Sequence, residues 1–261
     1  MNKFLKFGLM AAAFCCFVEP ASAASDVVSE TRPLDPHIVR VKVDGIVEVV
    51  VRQGSPAAMT VRGDRNWIAR TSTSQRGDTL NIGTEARAGA LHERFMMRES
   101  SQLRVELTLP ALREVSADSI GTTTVVGFEG DELDLSHEGA GQMVVQCNYK
   151  RVSAKLGGIG SMVIKGLSSE GVDLDVSGAG SVSLVGRSKW LRADLGGIGG
   201  LNAQQFAVDN VDLELSGLGN AIVTAHQNAN LNLSGMGSVT VYGKPANRKL
   251  VIEGLGKVNW K

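Results

Sequence analysis

The sequence is poor in aromatic residues and carries no excess of charge of either sign. Aromatic side chains make up 5% of its 261 residues, which suits a thin core of aliphatic side chains better than a bulky globular one. Lys plus Arg and Asp plus Glu are equal at 27 each, and no run of basic residues occurs. We therefore expect neither nucleic-acid binding nor binding to lipid through a polybasic segment.

Long apolar runs are also missing, except for one short stretch near the start. The stretch covers residues 8–18 and is preceded by Lys3 and Lys6. The motif Ala-Ser-Ala at 21–23 supplies a cleavage site of small residues. The combination is typical of a signal peptide, so residues 1–23 are predicted to direct export and to be removed, leaving Ala24 first. The stretch is too short to span a bilayer as a stable anchor.

Reactive side chains are few once the signal peptide is removed. Cys147 is then the last of three cysteines, which excludes an internal disulfide in the exported chain. Most other repeats carry Gly or Ala at its position, so we interpret Cys147 as a small buried side chain. A lipid anchor on Cys15 or Cys16 is disfavoured, because bulky Phe14 precedes them where lipoprotein signals have a small residue. The four histidines lack the spacing of metal ligands, and His137 is predicted to be interior.

What the sequence does contain is a repeat of 18–20 residues, in which apolar residues alternate on both sides of a Gly-x-Gly-like pivot. A fixed period near twenty with this alternation indicates a stacked β-solenoid. We number each repeat from the second residue of its pivot, which we predict to be a structural turn glycine. These residues are Gly121, Gly141, Gly160, Gly180, Gly199, Gly219, Gly237 and Gly256.

The alternation separates an inside from an outside. Residues eight, six and four positions before a pivot are apolar, as in Val211, Leu213 and Leu215, while Asp212 and Glu214 between them are predicted to face water. The residue directly before every pivot is apolar as well, and we assign it to the interior. We interpret the pivot glycine as conformational, since glycine reaches backbone angles closed to other residues. About eight coils stacked 4.8 Å apart would make a rod on the order of 40 Å long.

The part before the repeats has strand signals but no regular period. We divide the chain into a signal peptide at 1–23, an N-terminal β-rich region at 24–111 and the solenoid at 112–261. The middle region is either a separate domain or the degenerate first coils of the same solenoid. Its predicted strands are 39–51, 58–63, 79–83 and 103–110, and its charged segment 85–101 is predicted to be a protruding loop or a short helix. At the other end, Trp260 falls on an interior column and is predicted to cover the last coil.

These features together resemble a known bacterial family. The export signal, the irregular first half, the segment TLPALREV at 108–115 and eight Gly-x-Gly units in four pairs are similar to the putative auto-transporter adhesin head, or GIN domain, family. The resemblance implies a right-handed, pectin-lyase-like parallel β-helix and a role in adhesion, with no catalytic residues to carry over. We expect no translocator barrel or trimeric anchor in this chain, which ends at Lys261.

An enzyme acting on polysaccharides is the main alternative, because such enzymes use similar scaffolds and need clustered carboxylates. Candidate acids on neighbouring coils are Asp173, Asp175, Asp194, Asp212 and Glu214. Lys155 and Arg192 share their columns, so we prefer ordinary surface ion pairs, each worth about 0–1 kcal/mol. A calcium-binding roll is excluded, because its repeat is nine residues long and places an Asp after the glycines.

The sequence thus predicts an exported, non-enzymatic β-helix protein with no catalytic, cofactor-binding or metal-binding residue. We expect it in the periplasm or at the cell surface, where it would bind an envelope polymer, a carbohydrate or a protein. A periplasmic structural scaffold is a third interpretation. Neither the ligand nor the oligomeric state follows from the repeats.

Overall fold

The computed structural model of the chain describes residues 27–84 and 103–261. The predicted signal peptide and the predicted loop at 85–101 lie outside these described residues. Almost all of the described chain is β-strand, as the alternation of apolar residues predicts.

The first elements form an irregular β-rich region with one short helix. The helix begins after its N-cap Asp64, whose carboxylate accepts a hydrogen bond from the backbone N–H of Asn66. Its buried Trp67 and Ile68 join the core. The elements are β1 Val27–Arg32, β2 Arg40–Ile46, β3 Glu48–Gln53, β4 Ala58–Asp64, α1 Arg65–Ala69, β5 Thr71–Arg76, β6 Thr79–Thr84 and β7 Arg104–Leu109.

In the repeats, most strands follow the chain around one coil and pair in parallel with the strands of the next coil. These strands are β8 Glu114–His137, β9 Ala140–Leu156, β10 Ile159–Val176, β11 Ala179–Leu195, β12 Ile198–Leu215, β13 Leu218–Leu233, β14 Met236–Tyr242, β15 Asn247–Ile252 and β16 Lys257–Trp260. The pivots from Gly121 to Gly237 stand in register with one another. The predicted parallel β-helix is therefore confirmed, with about seven turns.

The irregular region is hydrogen-bonded directly to the coils. Strand β2 pairs in parallel with both β6 and β8, and β3 pairs in parallel with both β7 and β8. Strands β1, β4 and β5 add antiparallel pairings at this end. Parallel hydrogen bonding thus runs without a break from β6 and β7 into the repeats.

The inward columns form one aliphatic core. Leu213 is 1% exposed, whereas Asp212 and Glu214 on either side of it are exposed, which confirms the assignment from alternation. At the C-terminal end, Trp260 stands in register with Val241 and packs partly buried against this core, as predicted. Each coil covers the apolar residues of its neighbour.

The residues directly before the pivots are exposed, so their assignment to the interior was wrong. Ile159 is 69% exposed and Ile198 62% exposed. The physical reason is parity: Ile159 precedes the buried Met162 of the same strand by three residues, and an odd separation along an extended strand reverses the direction of the side chain. Apolar character alone had suggested the opposite. These residues form an exposed column instead.

The pivot requires glycine mainly because the coils approach too closely for a side chain. A Cβ on Gly219 would lie 1.7 Å from the carbonyl oxygen of Gly199, and a Cβ on Gly199 would lie 1.7 Å from that of Gly180. Gly199 also has a positive φ of 147°, but Gly219 does not share this conformation. Lack of space is therefore the reason common to these pivots, and the expected conformational reason applies only to some.

One histidine lies among the aliphatic core columns, as predicted. His137 is 1% exposed and stands in register with Leu156 of the next coil. Neither ring nitrogen has a hydrogen-bond partner of good geometry, although the backbone of Gly141 and Ala117 lies nearby. Burial lowers the pKa of His137, and the carboxylates of Glu138 and Asp118 oppose this effect only partly. The imidazole is therefore neutral in the folded chain.

We predict that Gly219→Ala destabilises the solenoid. The new methyl group must push apart two stacked backbones, which overpacking data place at about 1–3 kcal/mol or more. Gly196→Ala is the matched control, because a Cβ there meets only the Ser216 hydroxyl at 3.5 Å, and we expect a change within about 0.5 kcal/mol. Urea unfolding of both variants measures the difference, and equal stabilities would contradict the role given to the pivot.

A second prediction concerns the pH dependence of stability. The folded chain protonates His137 only at a lower pH than the unfolded chain, in which the imidazole has an ordinary pKa near 6.5. Stability is therefore lost as the pH falls below about 6.5, by at most about 1.4 kcal/mol per pH unit. His137→Leu, which restores the residue type of the neighbouring coil, should lose less stability between pH 7 and pH 5. Exposed His226 supplies the control variant His226→Ala, which should behave as the wild type. Parallel losses in all three chains would show that His137 does not contribute.

Candidate functional site

Three outward columns lie side by side on one flat side of the solenoid, which we call the polar face. They stand nine, seven and five positions before the pivots from Gly160 to Gly256, on strands β9 to β13 and β15. The first column is Arg151, Gly171, Trp190, Asn210, Asn228 and Asn247; the second is Ser153, Asp173, Arg192, Asp212, Asn230 and Lys249; the third is Lys155, Asp175, Asp194, Glu214, Asn232 and Val251. Parallel pairing keeps successive members about 4.8 Å apart.

Trp190 is a half-buried aromatic residue on this face. The six-membered ring of its indole lies against the backbone of Gly171, where a Cβ would be 2.0 Å from a ring carbon. Ser188 fixes the neighbouring backbone, because its hydroxyl donates to the Trp190 carbonyl at 3.0 Å. The absence of a side chain at Gly171 thus provides the room in which the indole sits.

Beside Trp190, the same column continues as a ladder of asparagine amides. Asn247 Nδ2 donates to Asn228 Oδ1 at 2.8 Å, and Asn228 Nδ2 donates in turn to Asn210 Oδ1. Asn210 Nδ2 ends the ladder on the carbonyl of Lys189 at 3.3 Å. A primary amide has two N–H donors and two acceptor lone pairs, so each rung uses only part of its capacity. The rest is directed to solvent.

The second column places a cation between two acids. Arg192 stands in register with Asp173 on one side and Asp212 on the other. Asn230 Nδ2 donates to Asp212 Oδ1 at 2.9 Å, but among the described residues no ion pair joins Arg192 to either carboxylate. Its guanidinium therefore retains donors for a ligand.

Together these side chains surround a shallow depression of about 520 Å³. Its lining residues are Asp173, Trp190, Leu191, Arg192, Asn210, Val211, Asp212, Asn228 and Asn230. The depression combines an aromatic surface, amides that donate and accept, a guanidinium and carboxylates. This is the combination by which proteins recognise ligands that carry both apolar faces and hydroxyl groups.

All five candidate acids lie on the polar face. Asp175, Asp194 and Glu214 are consecutive in the third column, and Asp173 and Asp212 are separated by Arg192. Glycosidases place two carboxylates on opposite sides of the bond that breaks, whereas these side chains project in the same direction from one sheet. In residues 27–84 and 103–261, no group of three His, Cys, Asp or Glu side chains is placed to hold a metal ion.

The expected pairing of these acids with Lys155 does not form. Lys155 Nζ lies 3.3 Å from Glu138 Oε1, a residue of the bend between two coils. Asp175, its neighbour in the column, is left to solvent. The acids of the third column are thus available as hydrogen-bond acceptors.

A second depression, of about 610 Å³, lies near the first coils and is lined by charged residues. Here the charges are paired, with Arg40 Nε at 3.4 Å from Glu114 and Lys150 Nζ at 2.6 Å from Asp131. Burial and then the carboxylates of Glu114 and Glu132 raise the pKa of Asp134. Because Arg40 already has carboxylate partners in Asp78 and Glu114, this depression offers less to a ligand than the polar face.

Cys147 is buried, as predicted, and does not belong to a reactive site. Burial raises the pKa of its thiol to about 12, so the nucleophilic thiolate is not populated at neutral pH. Tyr149, which alternation alone did not single out, lies nearby and donates its hydroxyl to the Leu112 carbonyl at 2.7 Å. Both side chains serve the core.

Trp190 and the asparagine ladder were missed as a group in the sequence. Aligning the column nine positions before each pivot would have shown Trp190, Asn210, Asn228 and Asn247 in succession.

No described helix is long and apolar enough to cross a membrane.

Comparisons with known proteins agree with the fold. The profile of the family described as "Putative auto-transporter adhesin, head GIN domain" matches residues 39–170 and 164–245. No protein of curated function matches the chain.

Several solved structures share the fold over nearly the whole chain. A putative adhesin from Parabacteroides distasonis ATCC 8503 has a TM-score of 0.76 at 20% identity, covering 91% of this chain and 98% of that one. A putative adhesin from Parabacteroides merdae ATCC 43184 has a TM-score of 0.75 at 19% identity, with coverages of 90% and 96%. A putative lipid binding protein from P. distasonis ATCC 8503 has a TM-score of 0.70 at 15% identity, with coverages of 88% and 96%. At these identities the likeness shows the fold alone.

Proposed function

The chain belongs to the family of putative auto-transporter adhesin head, or GIN, domains, and we propose that it is an exported binding module that holds an envelope polysaccharide on its polar face. The family supports a binding role for an exported or surface protein. The signal peptide predicted at 1–23 supports export.

The observation that carries the proposal is the position of Trp190 beside the asparagine ladder. A sugar ring presents C–H groups that pack on an aromatic surface and hydroxyls that both donate and accept hydrogen bonds. The indole of Trp190 supplies the first kind of contact, and the amides of Asn210 and Asn228 supply the second, because each can donate and accept at once. Arg192 and Asp212 add charged partners at the same depression.

The repeat also suits a polymer better than a small molecule. Successive coils present comparable groups at intervals of about 4.8 Å, so an extended chain could continue its contacts from one rung of the ladder to the next. A flat face gives no enclosed pocket for a small ligand. The carboxylates project in parallel from this face, which supports binding without bond cleavage.

We predict that Trp190→Ala weakens binding to the cognate polymer at least about tenfold, which corresponds to about 1.4 kcal/mol. Asn228→Ala, which interrupts the ladder without removing the indole, should weaken it as well. Affinity electrophoresis in pectic, glucan and peptidoglycan polymers, with and without calcium, measures the retention. His226→Ala, an exposed change outside the polar face, is the control, and thermal melts verify that each variant is folded.

Two outcomes would contradict this proposal. Wild-type protein that no polymer of the panel retains would leave the polar face without a carbohydrate role. New reducing ends or unsaturated products that disappear in an Asp173, Asp175 and Asp212 triple variant would establish the alternative of a polysaccharide-acting enzyme. Retention lost in the Trp190 variant, with no product formed, is the result we expect.

Export has its own test. We predict that protein recovered from the periplasmic or extracellular fraction begins at Ala24, because cleavage follows the small residues at 21–23. Intact-mass measurement should show the loss of residues 1–23 and no lipid. A mature chain that begins with an acylated Cys15 or Cys16 would instead indicate a lipoprotein.

A further inference from the structure

The exposed column before the pivots forms a continuous apolar ridge along one corner of the solenoid. We define the apolar ridge by the residues that stand in register there, which are Ile46, Ile120, Ala140, Ile159, Ala179, Ile198, Leu218 and Met236, together with Leu255, whose backbone N–H donates to the Gly235 carbonyl at the same place on the last coil. Leu255 is 81% exposed, Ile159 69%, Ile198 62%, Met236 51% and Leu218 44%. The ridge is separate from the polar face, which lies four or more positions earlier in each coil.

Single exposed apolar residues are ordinary on protein surfaces, but a contiguous row of them marks an interaction site. Every member of the ridge is apolar, and most have glycine on both sides, so backbone rather than bulky side chains flanks the row. The next columns hold small uncharged residues such as Ser161, Ser177 and Ser216 beside most of the ridge, and the acids Asp44, Asp118 and Glu138 beside its first coils. Close approach by another apolar surface is therefore unopposed from Ile159 to Met236, whereas near the first coils the approaching surface must leave these three carboxylates in contact with water.

We propose that the apolar ridge is the interface of a homodimer, in which a second copy of the chain packs antiparallel, ridge against ridge, about a two-fold axis. The occupant is a second copy because the ridge is complementary to itself. A two-fold axis makes each contact occur twice, so self-complementarity is what such an interface requires.

The complementarity lies in the order of large and small residues. With the axis between Ile159 and Ala179, every protruding side chain except Leu255 faces either an alanine or a half-buried isoleucine, and Leu255 extends past Ile46 of the partner subunit. The pairs are Ile159 with Ala179 of the partner subunit, Ile198 with Ala140 of the partner subunit, Leu218 with Ile120 of the partner subunit and Met236 with Ile46 of the partner subunit.

Other registers fit less well. A shift of one copy by one coil sets Ile159 against Ile159 or Ile198 of the partner subunit and leaves alanine facing alanine. A shift by two coils either brings Ile159 against Leu218 or leaves the C-terminal part of the ridge uncovered. The proposed register is therefore the one that joins eight of the nine positions without pairing two fully protruding residues.

The size of the ridge indicates a modest affinity. The eight paired ridge positions, spaced about 4.8 Å apart, span about 34 Å, and a strip five residues wide spans about 15 Å. The footprint is thus roughly 500 Å² per copy, or about 1,000 Å² in total, which is at the lower end for specific complexes. A formal net charge of zero gives no long-range repulsion between copies. We expect a dissociation constant in the micromolar range.

Analytical ultracentrifugation of the purified protein, expressed from the full sequence, tests the dimer. The wild type should be dimeric at about 100 μM and dissociate on dilution, and Ile159→Asp should raise the dissociation constant at least about tenfold. Val251→Asp makes the same kind of change at an exposed apolar residue on the polar face and should leave the dimer intact. Unchanged circular dichroism would show that both variants are folded.

Cysteine cross-linking tests the register. The double variant Ala140→Cys with Ile198→Cys should form a disulfide-linked dimer on oxidation, because the two positions face each other across the proposed axis and lie three coils, about 14 Å, apart within one chain. Ile198→Cys with Met236→Cys should not, because every pairing of those positions across the axis is at least three coils apart, beyond the reach of a disulfide. The native Cys147 is buried and does not compete.

Three results would overturn the proposal. One is a wild-type chain that stays monomeric at about 100 μM, including a monomer that instead binds phospholipid vesicles through Ile159. Another is a dimer that Ile159→Asp leaves unchanged. The third is cross-linking of the control pair in preference to the predicted pair. Since the polar face lies outside the apolar ridge, polymer binding can be measured independently of each result.

Discussion

The close approach of successive coils is the constraint on which the rest of the structure depends. At the corners, a Cβ on Gly219 would lie 1.7 Å from the carbonyl oxygen of Gly199, so the backbones there are in direct contact. Parallel ladders then hold the coils about 4.8 Å apart along the whole stack. Because every coil repeats this spacing, each outward position becomes a column of side chains. The polar face and the apolar ridge are both consequences of that stacking.

Much of the core could be predicted from the sequence, because burial follows the local parity of an extended chain. Val211, Leu213 and Leu215 are buried as their alternation indicated. The same parity, counted to the buried Met162 three residues further along β10, would have placed Ile159 outside, but its apolar character was given more weight. The pivot glycines were found by their period, while their main cause, contact between backbones twenty residues apart, depends on the stacked structure.

The candidate site was less predictable, because it depends on side-chain torsions and on the shape of the bends. Counting nine positions back from each pivot places Trp190 in register with Gly171, but the count does not tell where the indole ring lies. The structure places it against Gly171. The direction of the asparagine hydrogen bonds depends on side-chain torsions, and the pairing of Lys155 with Glu138 depends on the shape of a bend. None of these features leaves a pattern in the sequence.

Corner and face offer different kinds of recognition, which explains why the two surfaces differ in composition. On the flat polar face, three neighbouring columns could contact one ligand together, so several polar groups could hydrogen-bond its hydroxyls at once. At a convex corner only one column projects, and a hydrogen-bonding group there would remain exposed to water. Apolar residues gain from contact with a second ridge without needing directional partners. A dimer formed at the corner would leave both polar faces open, so two binding surfaces could engage one polymer and raise its retention through effective concentration.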